Sequence, residues 1–232
     1  MVELSIIIPS YNEEKNLKLL LESIKKQKYD CEIIVSDADS KDKTVSIAEK
    51  FGCKVVKGGL PAKGRNNGAK KAKGDLFLFL DADVILPKNF LKKSIKEFNN
   101  RNLDMAGVDL VPITNNNLDY FLHNFYNFFQ RVMQYIDPHA SGACIFIKKK
   151  VFFDVKGFDE NLIVAEDHAL ARKVRKKRYK FRILNKHVLL DIRRLKKEGR
   201  FGFVFKLFFF WFRRLFGEIK KSRVKYELKD RD

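Results

Sequence analysis

The feature that most constrains this chain is the alternation, through its first hundred residues, of short apolar runs with longer stretches whose apolar residues recur at helical spacing. "LSIIIP" is ended by Pro9 and followed by the helix-like "EEKNLKLLLESIKKQ". "CEIIVS" precedes "KDKTVSIAEKFG", which reads as a helix closed by Gly52. "CKVVKG" is a third strand, "AKGRNNGAKKAKG" a basic loop running into a helix, and "LFLFL" a fourth strand. Strands that are apolar throughout, rather than at every second residue, must be covered on both faces. The expected fold is therefore α/β, a Rossmann-like, mostly parallel sheet with helices on both sides.

In such sheets ligands bind beyond the carboxyl ends of the strands, so the residues just after each strand are the ones to inspect. They are Ser10-Tyr11-Asn12-Glu13, Asp37-Ala38-Asp39 and Asp81-Ala82-Asp83. Three strand ends carrying carboxylates or amides can converge on one crevice. In an extended segment, Asp81 and Asp83 point to the same side. Paired carboxylates suit Mg²⁺ or Mn²⁺, with phosphate oxygens completing the octahedron; a cap for the helix that begins near Pro87 is the structural alternative.

The second half is less regular. "DMAGVDLVP" reads as a strand, "NLDYFLHNFYNFFQRVMQYI" as an aromatic-rich helix, and "GACIFI" as a strand. "KKKVFFDVKGFDE" leads to the helix-like "AEDHALARKVRKKRY", then to the strands "KFRIL" and "HVLLDI". Glu166 and Asp167 open that last helix, where the dipole favours acidic residues in any case. Arg65 is the sharpest of the basic candidates because its fork pairs bidentately with phosphate, although a solvated place in a Lys-rich loop is the bland reading. His139, His168 and His187 are read as structural.

With no Pro/Gly/Ser linker and no repeat, one domain over 1–195 with an attached tail over 196–232 is expected, its first half about 1–100 and its second about 101–195. The formal net charge of +19 argues for an anionic partner: nucleic acid, acidic membrane or phosphorylated small molecules. In the tail, Phe201, Val204, Phe205, Phe208, Trp211, Phe212, Leu215, Phe216 and Ile219 share one helical face. Lys206, Arg213, Arg214, Lys220 and Lys221 share the other. That pattern describes a helix in a membrane interface, or one packed on the domain. Those cations also cut the apolar run short of the ~20 residues a span needs. No signal peptide is expected, because "VELSIIIPSYNEE" starts as a strand with an acidic residue early. Three scattered cysteines, Cys31, Cys53 and Cys144, suit reduced core thiols in a cytoplasmic protein.

Taken together, "SIIIPSYNEEKNL", "EIIVSDADSKDKT", "GRNNGAKKAKGDLFLFLDAD" and "VKGFDE…AEDHALARKVRKKRYKFRI" resemble the family 2 glycosyltransferases in order and spacing over roughly residues 3–185. The resemblance implies a GT-A fold and inverting transfer of a sugar from a nucleoside diphosphate donor, aided by a divalent cation. It implies that Pro9, Tyr11 and Glu13 line the nucleotide pocket, Asp37 contacts the base, and Arg65 faces the nucleotide or its phosphates. Asp81 would approach the ribose or metal, Asp83 would bind the metal, and Arg194, with Arg193, would close over the diphosphate. Asp167 would be the general base and Glu166 its support. Ala38 and Asp39 depart from the commoner "DDGS" pattern. The expected acceptor is a polyprenyl phosphate or lipid-linked glycan, met at the cytoplasmic face of an anionic membrane, with no nucleic-acid partner. A nucleotidyltransferase would need a basic phosphate-gripping loop where this chain has "PSYNEE", and a nucleic-acid-binding protein leaves the carboxylate-bearing strand ends unexplained.

Overall fold

The computed structural model describes residues 3–162 and 164–192. The tail helix expected beyond residue 200, Arg193 and Arg194 lie outside the described residues. One eight-stranded sheet organises the chain. Strands β1 (Leu4–Ser10), β2 (Glu32–Asp37), β3 (Lys54–Lys57) and β4 (Leu76–Leu80) are mutually parallel, in the order β3-β2-β1-β4. Helices α1 (Glu14–Lys25), α2 (Thr44–Lys50) and α3 (Pro61–Lys71) connect them.

The sheet becomes mixed beyond β4. A two-residue strand, β5 (Val84–Ile85), and helix α4 (Phe90–Asn100) lead to β6 (Met105–Pro112), α5 (Asn117–Ile136) and β7 (Cys144–Lys148). After α6 (Lys149–Asp154) and α7 (Glu166–Lys176) comes β8 (Phe181–Leu190). β7 lies antiparallel between β4 and β6, while β6 and β8 pair in parallel. The two strands expected over 180–192 are one, because an irregularity opposite Gly107–Asp109 absorbs the polar "NK" between them without ending the ladder.

Burial explains why the strands read as unbroken apolar runs. Leu76, Leu78 and Leu80 of β4 pack with α1 and α4 on one face. Phe77 and Phe79 pack with α3, α6 and α7 on the other. Each run thus serves two cores, and the Phe77, Phe79, Phe152 and Phe158 rings meet mostly edge to face at 5.0–6.3 Å.

Helix α3 corrects the basic loop expected over its first residues. Pro61 stands in its first turn, and Gly64 and Gly68 share the face toward β1. A Cβ on Gly64 would already lie 3.4 Å from that of Pro9. One on Gly68 would overlap Ile7 Cγ2 and approach Ser36 Oγ to 2.7 Å. Backbone contact with the sheet is therefore what holds this helix, at the expense of glycine's weak helix propensity. Gly68→Ala gains about 1 kcal/mol of propensity but overpacks by ~1–3 kcal/mol. The expected result is a lower urea-unfolding midpoint with an unchanged m-value.

Candidate active site

The ends of β1 and β2 are held together by their own polar residues. Ser10 and Asp37 are register partners, and the Ser10 hydroxyl lies 3.4 Å from Asp37 Oδ1. Asp37 is mainly engaged by Ser40, which donates its backbone N–H at 2.9 Å and its hydroxyl at 2.5 Å. Asp39 has a φ of 70°, the left-handed conformation that favours Gly and that Asp tolerates. This is how the chain accommodates Asp at the position where the commoner pattern has glycine. Asn12 is left-handed as well, accepts from the Lys41 N–H at 2.8 Å, and so ties the first loop to the second. Pro9 lies within β1, and Tyr11 follows it, partly exposed. Glu13 precedes α1, where its carboxylate accepts from Asn16 at 2.7 Å. All four residues expected on the nucleotide side sit at this sheet edge.

Asp81 and Asp83 stand after β4 in a turn, not in an extended segment, so the alternation argument for their pointing one way does not apply. The Asp81 carbonyl accepts from Val84 at 3.4 Å, and the Asp83 carbonyl from Asp191 at 3.0 Å. Neither caps α4, whose N-cap is a left-handed Asn89. Between them they offer hard oxygen donors and no sulfur or imidazole. Among the described residues no cluster of three or more metal-ligating side chains forms. Such a donor set fits Mg²⁺ or Mn²⁺, which bind through one or two carboxylates when phosphate and water complete the shell.

Arg65 is placed differently from an open phosphate clamp. Its side chain is 3% exposed, and its guanidinium donates at 2.6 Å to Asp81 Oδ1 and at 2.6 Å to Glu166 Oε1. It also stacks 5.4 Å from the Phe158 ring centroid. Burial alone would pull its pKa down, but Asp81, Glu166 and Asp167 together push it up, so it is a permanent cation. Its neighbour Asn66 locks the 157–160 loop by donating to the Phe158 carbonyl at 2.9 Å and accepting from the Phe158 N–H at 3.0 Å. One turn of α3 thus joins the first half of the chain to the second.

Asp167 stands in the first turn of α7 and is fixed by two backbone donors, Gly142 at 2.6 Å to Oδ2 and His168 at 2.7 Å to Oδ1. Burial raises its pKa above the ordinary aspartate value, against the pull of Arg65 and these two N–H groups. Glu166 is also raised, first by burial and then by Asp167, with Arg65 opposing. Two carboxylates with raised proton affinity beside a fixed cation are what acid–base chemistry requires.

Several residues around Asp167 escaped the sequence reading. Gly142 leaves room that a side chain would take: a Cβ there would meet Arg65 at 2.8 Å and Asp167 at 3.2 Å. Tyr126 of α5 is half-buried, and its phenol pKa is raised by desolvation and by Asp167. His139 and His168, read as structural, meet at a tilt with centroids 4.5 Å apart beside the acidic pair. The only signal in the sequence was a Gly among small residues before β7 and a His following the acidic pair. His187 lies in β8, as the register partner of Asp109.

A family model described as Glycosyl transferase family 2 matches residues 5–155. Poly(ribitol-phosphate) beta-N-acetylglucosaminyltransferase TarS of Staphylococcus aureus is 38% identical over 103 residues, 40% of this chain and 18% of that protein. Dolichol-phosphate mannosyltransferase of Pyrococcus furiosus is 35% identical over 109 residues, 43% of this chain and 31% of that protein. The matches therefore span under a third of either relative. In structure, the mannosyltransferase PcManGT from Pyrobaculum calidifontis, in complex with GDP-Man and Mn²⁺, superposes with a TM-score of 0.72 at 18% identity, covering 94% of this chain and 65% of that one. That likeness establishes the GT-A fold.

Removing the central cation provides a test. Arg65→Met leaves Asp81 and Glu166 without a shared counter-charge, so a loss of about 3–5 kcal/mol in unfolding free energy is expected at neutral pH. Without the arginine, the folded state holds protons on these carboxylates more tightly than the unfolded state does. Stability should therefore recover as pH falls toward the ordinary carboxylate range. A urea series across pH that shows no such recovery would contradict the shared-cation account.

Proposed function

The chain belongs to glycosyl transferase family 2, and we propose that it transfers a sugar, with inversion, from a nucleoside diphosphate donor to an acceptor hydroxyl or phosphate. The observation that carries this reading is the double ion pair of Arg65, which puts the Asp81 end of β4 and the acidic start of α7 in one site. The donor lies against the β1, β2 and β4 ends, near Pro9, Tyr11, Asp37 and Asp81. Asp83, with Asp81 alongside, holds a divalent cation, which supplies positive charge for the departing diphosphate when bound.

Asp167 takes the proton of an acceptor hydroxyl. Its burial makes it a stronger base than a solvated aspartate, and the Gly142 and His168 N–H groups fix its orientation while leaving further lone pairs for the acceptor. Glu166, engaged by Arg65, keeps that cation 2.6 Å away and so limits the repulsion Asp167 meets. For an acceptor that is already an ionised phosphate, Asp167 positions rather than deprotonates. A lipid-linked or polyprenyl phosphate acceptor agrees with the dolichol-phosphate relative, with the Phe-rich tail and with the net charge of +19. The working place is the cytoplasmic face of an anionic membrane, reached peripherally by the 201–221 tail. Free Cys31, Cys53 and Cys144 suit that reducing side.

A thermal-shift screen of nucleoside diphosphates and their sugars, with and without Mn²⁺, tests the donor site. One nucleotide should stabilise the chain only with metal, and Asp83→Ala should abolish the effect. Asp167→Asn should keep the shift and lose turnover by roughly 10²–10⁴-fold. No response to any nucleotide would sink the reading. For the tail, Phe208→Ser with Phe212→Ser should weaken flotation of the full chain with anionic vesicles; unchanged flotation would remove the tail contact.

A further inference from the structure

Helix α5 is built inside out. Its buried residues are Asp119, His123, Asn127, Gln130 and Gln134, one polar column at helical spacing. Two of them bind neighbouring strands: Asn127 accepts from the Leu110 N–H and donates to its carbonyl, both at 2.9 Å, and Gln134 accepts from the Ile183 N–H at 2.9 Å. The outward face carries Leu118, Phe121, Phe125, Phe128, Val132, Tyr135 and Ile136, exposed by 40% to 69%. Single exposed apolar residues are ordinary, but a stripe of seven along one helix marks a surface made for an apolar phase.

The stripe ends at a basic cleft of ≈ 290 Å³, on the sheet edge opposite the Asp81 turn. Arg175, Arg178, Lys180 and Arg182 line it with Tyr135 and Tyr179, and among the described residues no carboxylate does. Tyr135 belongs to both features, its ring lying 4.7 Å beneath the Arg182 guanidinium. Apolar surface running into concentrated positive charge is the complement of a bilayer interface with anionic headgroups.

We propose that the outward face of α5 and the basic cleft form one docking face of the folded domain for an anionic membrane. The stripe enters the interfacial layer and the cleft holds the phosphate of an anionic lipid. This rests on the peripheral-membrane part of the function proposed above and adds a contact independent of the tail.

The test is flotation of the full chain with phosphatidylcholine vesicles, with and without phosphatidylglycerol. Wild type should favour the phosphatidylglycerol vesicles. Phe121→Ser with Phe128→Ser should weaken binding about tenfold or more, since each exposed ring loses its apolar phase. Arg175→Gln with Arg178→Asn should cut the preference for anionic lipid about tenfold or more, the tail keeping the remainder; Asn suits residue 178, whose φ is 64°. Wild-type affinity in both variants would overturn the proposal, as would equal wild-type binding to both vesicle types. So would sedimentation showing that the Phe pair holds two copies together while vesicle binding is unchanged. The nucleotide-dependent thermal shift should be the same in wild type and both variants. Its absence from wild type is the failure of the transferase reading, whereas lost vesicle binding with the shift intact is the result expected here.

Discussion

The buried guanidinium of Arg65 is the interaction on which the site depends. It is enclosed by protein carboxylates, 2.6 Å from Asp81 on one side and 2.6 Å from Glu166 on the other. A buried ion pair contributes little net stability when complete and costs several kcal/mol when broken. Its value here is geometric: the β4 turn and the start of α7 cannot separate without exposing a bare charge. Asp167, next in sequence to Glu166, inherits its position from that constraint and from the Gly142 N–H.

That arrangement requires α3 to lie close to the sheet. Gly64 and Gly68 bring its backbone against Ile7, Pro9 and Ser36, and Asn66 fastens the far side of the helix to the 157–160 loop. A helix with ordinary side chains on that face would stand farther off, and Arg65 would then fall short of one of its partners. The same economy of space appears at Gly142, where a methyl group would press on both Arg65 and Asp167.

Much of the fold was legible because its signals are local. Continuous apolar runs announced β1 to β4, and the predicted helix over 117–136 matches α5 residue for residue. The strand-end carboxylates were legible too, since Asp37, Asp81 and Asp83 follow such runs directly. Other features depend on distant partners. β5 exists only because β8 pairs with it, the two expected C-terminal strands fuse because β6 tolerates the irregularity, and α3 is helical through glycines because the sheet accepts its backbone. Arg65 was singled out from its chemistry, yet its carboxylate partners lie 16 and 101 residues away, and no spacing rule reaches that far. The inversion of α5 was hidden for the same reason. Periodicity separates its two faces but does not say which one turns inward; the backbone groups of Leu110 and Ile183 settle that.

What the sequence determined by itself is the list of parts: an α/β sheet with both faces covered, carboxylates at the ends of its strands, an acidic pair opening a late helix, and an excess of positive charge. These follow from hydrophobic periodicity and residue chemistry, which act over a few residues. Only the tertiary structure decided which charges neutralise one another, that Arg65 serves the carboxylates from inside, and that α5 presents its rings outward. Those outcomes are set by long-range contacts, because a buried charge or amide must find its partner wherever the fold brings one within hydrogen-bonding distance.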